Sequence, residues 1–214
     1  MRNRLLVLIA AAAGSCLMAT AAVAHPHVWV MMQSELAYAP DGSVTGVRHA
    51  WTFDDMFSTF ATQGLPQKTK GVFTREELAP LAEVNMTSLK EFEYFNYGKA
   101  DGKKASFAAP KDYWLDYKDN TLILHFTLPL QAPVKAKSFS VEVYDPSYYV
   151  DFAFTQKDPV ALAGAPTACK LMVAKPQEMT VAQGQRLGEA FFNNLNSSEN
   201  WGAQFANRVT VTCP

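Results

Sequence analysis

Two alternating segments flank a single turn near the start of the chain and commit this part of it to a β-hairpin. They are VWVMMQSELAY, residues 28–38, and VTGVRHAWTF, residues 44–53, with Ala39-Pro40-Asp41-Gly42-Ser43 between them. Successive side chains of an extended chain point to opposite faces. Val28, Val30 and Met32 therefore share one face, and His27, Trp29 and Met31 the other. In the second segment Val47, His49, Trp51 and Phe53 line up together. If Pro40-Asp41-Gly42 forms a three-residue loop, Ala39 pairs with Ser43 and paired residue numbers sum to 82. His27 then faces Asp55, a one-residue change of loop brings Asp54 there instead, and His49 faces Gln33.

The rest of the chain extends this pattern. EFEYFNYGK, KKASFAAP, KDYWLDYKD, TLILHFTLPL, KSFSVEVYDP, YVDFAFTQ, CKLMVAK and RVTVTC read as short strands. Pro129, Pro133, Pro146 and Pro159 are expected at strand ends, where a missing N–H does least harm. Residues 55–64 have helical spacing, with Met56, Phe57 and Phe60 on one side. Thr74-Arg75-Glu76-Glu77 is a capping box that opens a helix into the late 80s, and Thr180 is expected to cap another through Phe192. The expected fold is one α+β domain: a mostly antiparallel β-sheet or sandwich, with a helical insertion after the first hairpin and a C-terminal helix.

Residues 1–24 read as a secretion signal, with Arg2 and Arg4 as its only charges, the apolar run LLVLIAAAAG, and Ala22-Val23-Ala24 as the small-x-small cleavage pattern. A cut there leaves 190 of the 214 residues as a single exported domain, beginning at His25 and destined for the periplasm. A rival cut before Cys16 would give a lipid anchor, but Ala13 matches that pattern poorly. Without Arg2 and Arg4 the basic residues fall from 19 to 17 against 20 acids, which argues against nucleic acid or an anionic membrane surface as partner. Cys169 and Cys213, the two cysteines outside the leader, are expected to form a disulfide in an oxidising compartment.

The chemistry concentrates at AHPHVWV, residues 24–30. Cleavage after Ala24 would give His25 an α-amine beside its imidazole Nδ1, able to chelate one metal ion, and His27 would add a third nitrogen on the same side of an extended strand. Nitrogen donors suit nickel, cobalt, zinc and copper. The x-x-His amide clamp for copper and nickel is excluded, because Pro26 has no N–H to lose. By the hairpin register Asp54 or Asp55 supplies a carboxylate. The alternative for the histidines is a solvated chain end. His49, on an apolar face, reads as a core histidine with a hydrogen-bond partner, and His125, opposite the Leu/Phe stripe of its strand, reads as a surface residue.

PQKTKGVFTREE, residues 66–77, has the second half of a calcium loop, but Pro66, Lys68 and Lys70 stand where oxygen ligands belong. No calcium is expected, and Glu77 reads as the cap partner of Thr74. YDPSYYVDF, residues 144–152, reads as a turn with packed rings, in which Tyr144, Asp145, Tyr148 and Asp151 are candidate docking groups. No nucleophile elbow, phosphate loop or catalytic triad order is visible, so neither an enzyme nor a small organic substrate is expected.

HPHVWV after a leader, WTFDDMFSTF, REELAPLAEVNMTSLKEF, LHFTLPL and YDPSYYVDF together resemble a family of exported bacterial proteins classed as a domain of unknown function, number one thousand and seven. The resemblance runs over nearly the whole chain after the leader. It implies the periplasmic component of an uncharacterised ABC-type transport system, often encoded beside nickel/cobalt transporters, and it marks His25, His27, Trp29, Trp51, Phe53, Asp54, Tyr144, Asp145 and Pro146. Asp55 stands where relatives more often carry Glu. The expected function is a metal-binding accessory protein that captures nickel, cobalt or zinc at its histidine terminus and presents it to an inner-membrane transporter. The rivals are a copper redox protein using the same histidines, and a structural partner of a membrane complex with no metal site of its own.

Overall fold

The computed structural model describes residues 26–176, 179, 180, 182, 183, 186 and 200–214. The leader, Cys16, His25 and most of the expected C-terminal helix lie outside them; within them, Thr180 and Gln183 exchange cap hydrogen bonds. The strands are β1 (Val28–Tyr38), β2 (Val44–Phe53), β3 (Asn96–Ala100), β4 (Lys103–Ala105), β5 (Lys111–Lys118), β6 (Thr121–Val134), β7 (Ser138–Val143), β8 (Val150–Phe154), β9 (Val160–Ala163), β10 (Lys170–Ala174) and β11 (Asn207–Thr212). They form two sheets. One runs β5-β6-β2-β1-β8 with β9 also on β1, the other β10-β11-β7-β3-β4. Pairing is antiparallel except that β8 and then β9 run parallel to β1. The fold is the expected α+β arrangement with a helical insertion after the first hairpin. The short strand β9 is an addition to the sequence reading.

The inner faces follow the alternation. Val28, Val30, Met32 and Leu36 of β1, Val47 and Trp51 of β2, and Leu122, Leu124, Phe126 and Leu128 of β6 join Phe139, Val141, Val143, Val209 and Val211 of the second sheet in one core. Each such side chain contributes roughly 1.5–3 kcal/mol by leaving water. Cys169 and Cys213 form the expected disulfide, tying the entry of β10 to the end of β11.

The hairpin register differs from the expected one. Tyr38 pairs with Val44, in the register of the three-residue loop, but from Ala37 and Gly46 onward paired numbers sum to 83. A bulge between Val44 and Gly46 adds the extra residue. Its cause lies in β6: Pro129, paired with Gly46, has no N–H, and Leu128 O would stand 2.5 Å from any Cβ placed on Gly46. Pro129 and Pro133 thus fall inside β6, not at its end. His49 faces Ser34, not Gln33, and the residue beside Trp29 is Asp54. Gly46→Ala is expected to destabilise by about 2 kcal/mol through overpacking, read as a lower denaturant midpoint.

The helices α1 (Asp55–Thr62) and α2 (Arg75–Leu89) fill the insertion. The α1 face that packs is not the Met56/Phe57/Phe60 face. Met56 and Phe60 are 66% and 75% exposed, while Ser58 and Thr62 are buried and Phe57 stacks on Phe53. Small Ser58 lets the helix approach β6 closely enough for its Oγ to accept the Leu122 N–H at 3.0 Å. The capping box of α2 forms as expected, and Glu77 spends its two oxygens on the N–H groups of Lys68 and Thr74. EFEYFNYGK is strand only from Asn96. Tyr94 and Phe95 are both buried, which strand alternation forbids for neighbours, and Glu93, Tyr94 and Phe95 instead make a left-handed turn with φ of 51°, 54° and 55°.

His49 crosses the core as a polar link between the sheets. It is buried, Nδ1 lies 2.9 Å from Ser34 Oγ, and Nε2 lies 2.9 Å from Asn96 Oδ1 of β3, whose amide donates to Tyr94 O. Burial pushes its pKa down to about 4 against an ordinary 6.5, so it is neutral at pH 7, donating from Nε2 and accepting at Nδ1. The folded state therefore resists a proton that the unfolded chain takes up. This contribution is full above pH 6.5 and falls as pH drops from 6.5 to about 4, a loss of about 3 kcal/mol. Denaturant titrations across that window should show the fall, and His49→Gln should flatten it.

Candidate functional site

The described chain begins at one end of the first sheet, where β1 runs between β2 and β8, in a cradle made by YDPSYYVDF. Asp145 is buried. Its Oδ1 accepts from Ser147 N and Oγ at 2.9 and 2.8 Å, and Oδ2 accepts from Val150 N at 3.0 Å, which folds the loop back on itself. That fold presents Tyr149 O to the N–H groups of both His27 and Val28, at 2.9 and 3.2 Å. β8 then continues beside β1, pairing Val28 with Val150 and Trp29 with Asp151. Asp145 is thus a structural brace of the start of β1, a role its sequence position alone did not reveal.

His27 is exposed and its ring lies against Tyr149, centroids 4.8 Å apart. Trp29, 45% exposed, stands next along the same outer face. Asp54 closes the other side: Oδ2 accepts Trp29 N at 2.9 Å, Oδ1 caps α1 through Phe57 N at 2.8 Å, and its own N–H donates to Trp29 O. Each Asp54 oxygen keeps a second lone pair, and Asp55 is exposed in the first turn of α1, so both retain donor capacity for a cation. The expected opposition of His27 to Asp55 is replaced by the Trp29–Asp54 pair, a direct result of the bulge at Gly46. Among the described residues no group of three or more His, Cys, Asp or Glu is placed to hold a metal ion; His25, the first ligand of the expected set, lies outside them.

Tyr148, on a left-handed backbone at φ 57°, is buried against Phe205. Burial raises the pKa of half-buried Asp151, while burial and the nearby Asp151 carboxylate push Tyr148 up to about 12. Tyr144 is buried and stacks on Tyr97. Of the four candidate docking groups, Tyr144, Asp145 and Tyr148 are buried and Asp151 is half-buried. Trp51 and Phe53 belong to the core, where Trp51 packs on Phe126 and Phe152.

His125 lies on the outer face, as expected, but in company that sequence spacing does not reveal. Its ring stacks on Trp114 at 4.6 Å, and Asp116 gathers His125 Nε2 at 3.3 Å, Trp114 Nε1 at 3.0 Å and Arg75 Nε at 2.7 Å. The alternation of WLD in β5 against LHF in β6 places Trp114 and Asp116 on the face of His125. Burial outweighs the Asp116 charge and lowers the His125 pKa.

The chain is similar over 197 residues, 89% of its length and 92% of the relative's, to an uncharacterised protein of Haemophilus influenzae, at 26% identity. It is 29% identical over 93 residues, 43% of its length and 66% of the relative's, to an uncharacterised 15.5 kDa protein of Spirochaeta aurantia. Among solved structures, an acetylcholine-binding protein of Biomphalaria glabrata matches 86% of this chain and 84% of its own at 10% identity and a TM-score of 0.35. The family model described as protein of unknown function, DUF1007, matches residues 10–213, and the chain belongs to that family.

Proposed function

We infer that the protein is an exported, non-enzymatic metal-binding accessory component that captures a divalent transition metal, nickel, cobalt or zinc, and presents it to an inner-membrane transporter. His25 supplies amine and imidazole, His27 a second imidazole, and Asp54 or Asp55 a carboxylate. The observation that supports this reading is the anchoring of the chain start: Tyr149 O and the Asp54 carboxylate hold residues 27–29 while the His27 ring stays exposed on the outer face. A terminus held at this point needs little further ordering to chelate an ion, so less affinity is lost to entropy. The disulfide agrees with an oxidising compartment, and among the described residues no helix is long and apolar enough to cross a membrane. Membership of the nickel/cobalt transport setting rests on the family resemblance alone.

The carboxylate is testable when binding and stability are measured on the same variants. Asn at position 54 keeps one acceptor oxygen for the two N–H groups that Asp54 now holds, so Asp54→Asn should lower stability by about 1 kcal/mol while Asp55→Asn, at an exposed position, should not. If Asp54 is the ligand, the same variant should bind nickel about tenfold or more weakly in a calorimetric titration, with Asp55→Asn unaffected; the reverse result assigns Asp55. Unchanged binding in both would remove the carboxylate from the site.

A further inference from the structure

A cavity of about 660 Å³ lies over the outer face of the second sheet and is built from residues other than those of the histidine site. That volume suits a small organic ligand. Tyr97 of β3 and Tyr144 form one wall, rings stacked at 4.4 Å, with Asn200 Nδ2 donating to Tyr144 Oη at 3.1 Å. Two ion pairs stand around them: Lys99 with Glu142 at 3.7 Å and Lys104 with Glu93 at 3.1 Å. Arg208 also holds Glu142, at 2.7 Å.

The left-handed turn Glu93–Phe95 borders this cavity, and both Glu93 and Tyr94 line it. Three consecutive non-glycine residues in that conformation are uncommon, and such strain gathers where a site is being shaped. The charge pattern narrows the ligand. Each carboxylate is already matched by a lysine or arginine, so an added anion meets Glu93 and Glu142 while an added cation meets Lys99 and Lys104. Hydroxyl groups, which donate and accept at once, suit alternating ammonium and carboxylate groups. An aromatic wall suits the apolar C–H face of a saturated ring.

We propose that this cavity binds a neutral sugar, its ring packed on half-buried Tyr97, which Tyr144 backs, and its hydroxyls bonded to the Lys99–Glu142 and Lys104–Glu93 pairs. The absence of catalytic motifs, on which no small organic substrate is expected, does not bear on a cavity that only binds. The parts come from residues 93 to 200, so no local motif announces it.

The test titrates the full exported protein with oligosaccharides of N-acetylglucosamine and of glucose, read by calorimetry and by saturation-transfer NMR. Saturable binding of at least one series is expected. Tyr97→Ala should weaken it about tenfold, Tyr97→Phe should largely retain it, and His27→Ala should leave it unchanged. If Tyr97→Ala does not fold, Lys104→Ala, at an exposed position, must weaken it instead. The proposal is overturned if neither series binds saturably, if binding survives these substitutions unchanged, or if free glutamate or arginine displaces the sugar at equal concentration. Because the two sites share no residue, loss of metal binding leaves this proposal standing, and loss of sugar binding leaves the metal reading standing.

Discussion

A chain carrying Cys169→Ser and Cys213→Ser is expected to lose about 4 kcal/mol of stability, the loop-closure value for a bridge 44 residues apart in sequence. The reason is local as well as entropic. β10 lies at the edge of the second sheet and pairs with β11, and its side chains are largely exposed, so little burial holds it once the bridge is gone. Urea unfolding of the native protein, the reduced protein and the double variant measures the loss. The reduced protein and the variant should agree with each other and fall well below the oxidised form. Equal midpoints for all three would mean that the strand pairing alone holds this edge.

His27→Ala, in protein proven by mass to begin at His25, is expected to weaken nickel binding by about a hundredfold or more, since on the proposed reading it removes a direct nitrogen donor and not merely a supporting group. Stability should hardly change. The His27 ring is exposed, and what anchors the residue is its backbone N–H on Tyr149 O, which alanine keeps. A large change in the unfolding midpoint would signal a packing role for the ring on Tyr149. Unchanged nickel affinity would assign the metal to other groups or to none.

Much of this fold was legible because alternation is a local signal. The faces of β1 and β2, the Thr74/Glu77 capping box, the core setting of His49 and the Cys169–Cys213 bridge could all be read from spacing and residue type. The failures share one cause, a partner distant in sequence. The hairpin register turns on Pro129, more than eighty residues beyond Gly46, so the pairing of Trp29 with Asp54 could not be counted from the turn. The packed face of α1 was set by Leu122, which bonds Ser58, and not by its own apolar spacing. The same holds for function. The histidine pair ahead of β1 was visible in seven residues. That YDPSYYVDF cradles the start of β1 through Tyr149, and that Trp114, Asp116 and Arg75 surround His125, emerged only from the sheet order.

The central claim is that an exposed histidine terminus, held by Tyr149 and Asp54, is the metal site. Its most direct test is a competition titration of nickel, cobalt, zinc and copper into protein beginning at His25, beside the same protein with one extra N-terminal alanine. The added residue moves the α-amine away from the His25 imidazole and breaks the chelate while leaving every residue of the fold in place. Tight one-to-one binding that the extension weakens strongly is the expected result, and the preferred ion would name the transport pathway. Equal binding by both forms, or no binding by either, would contradict it.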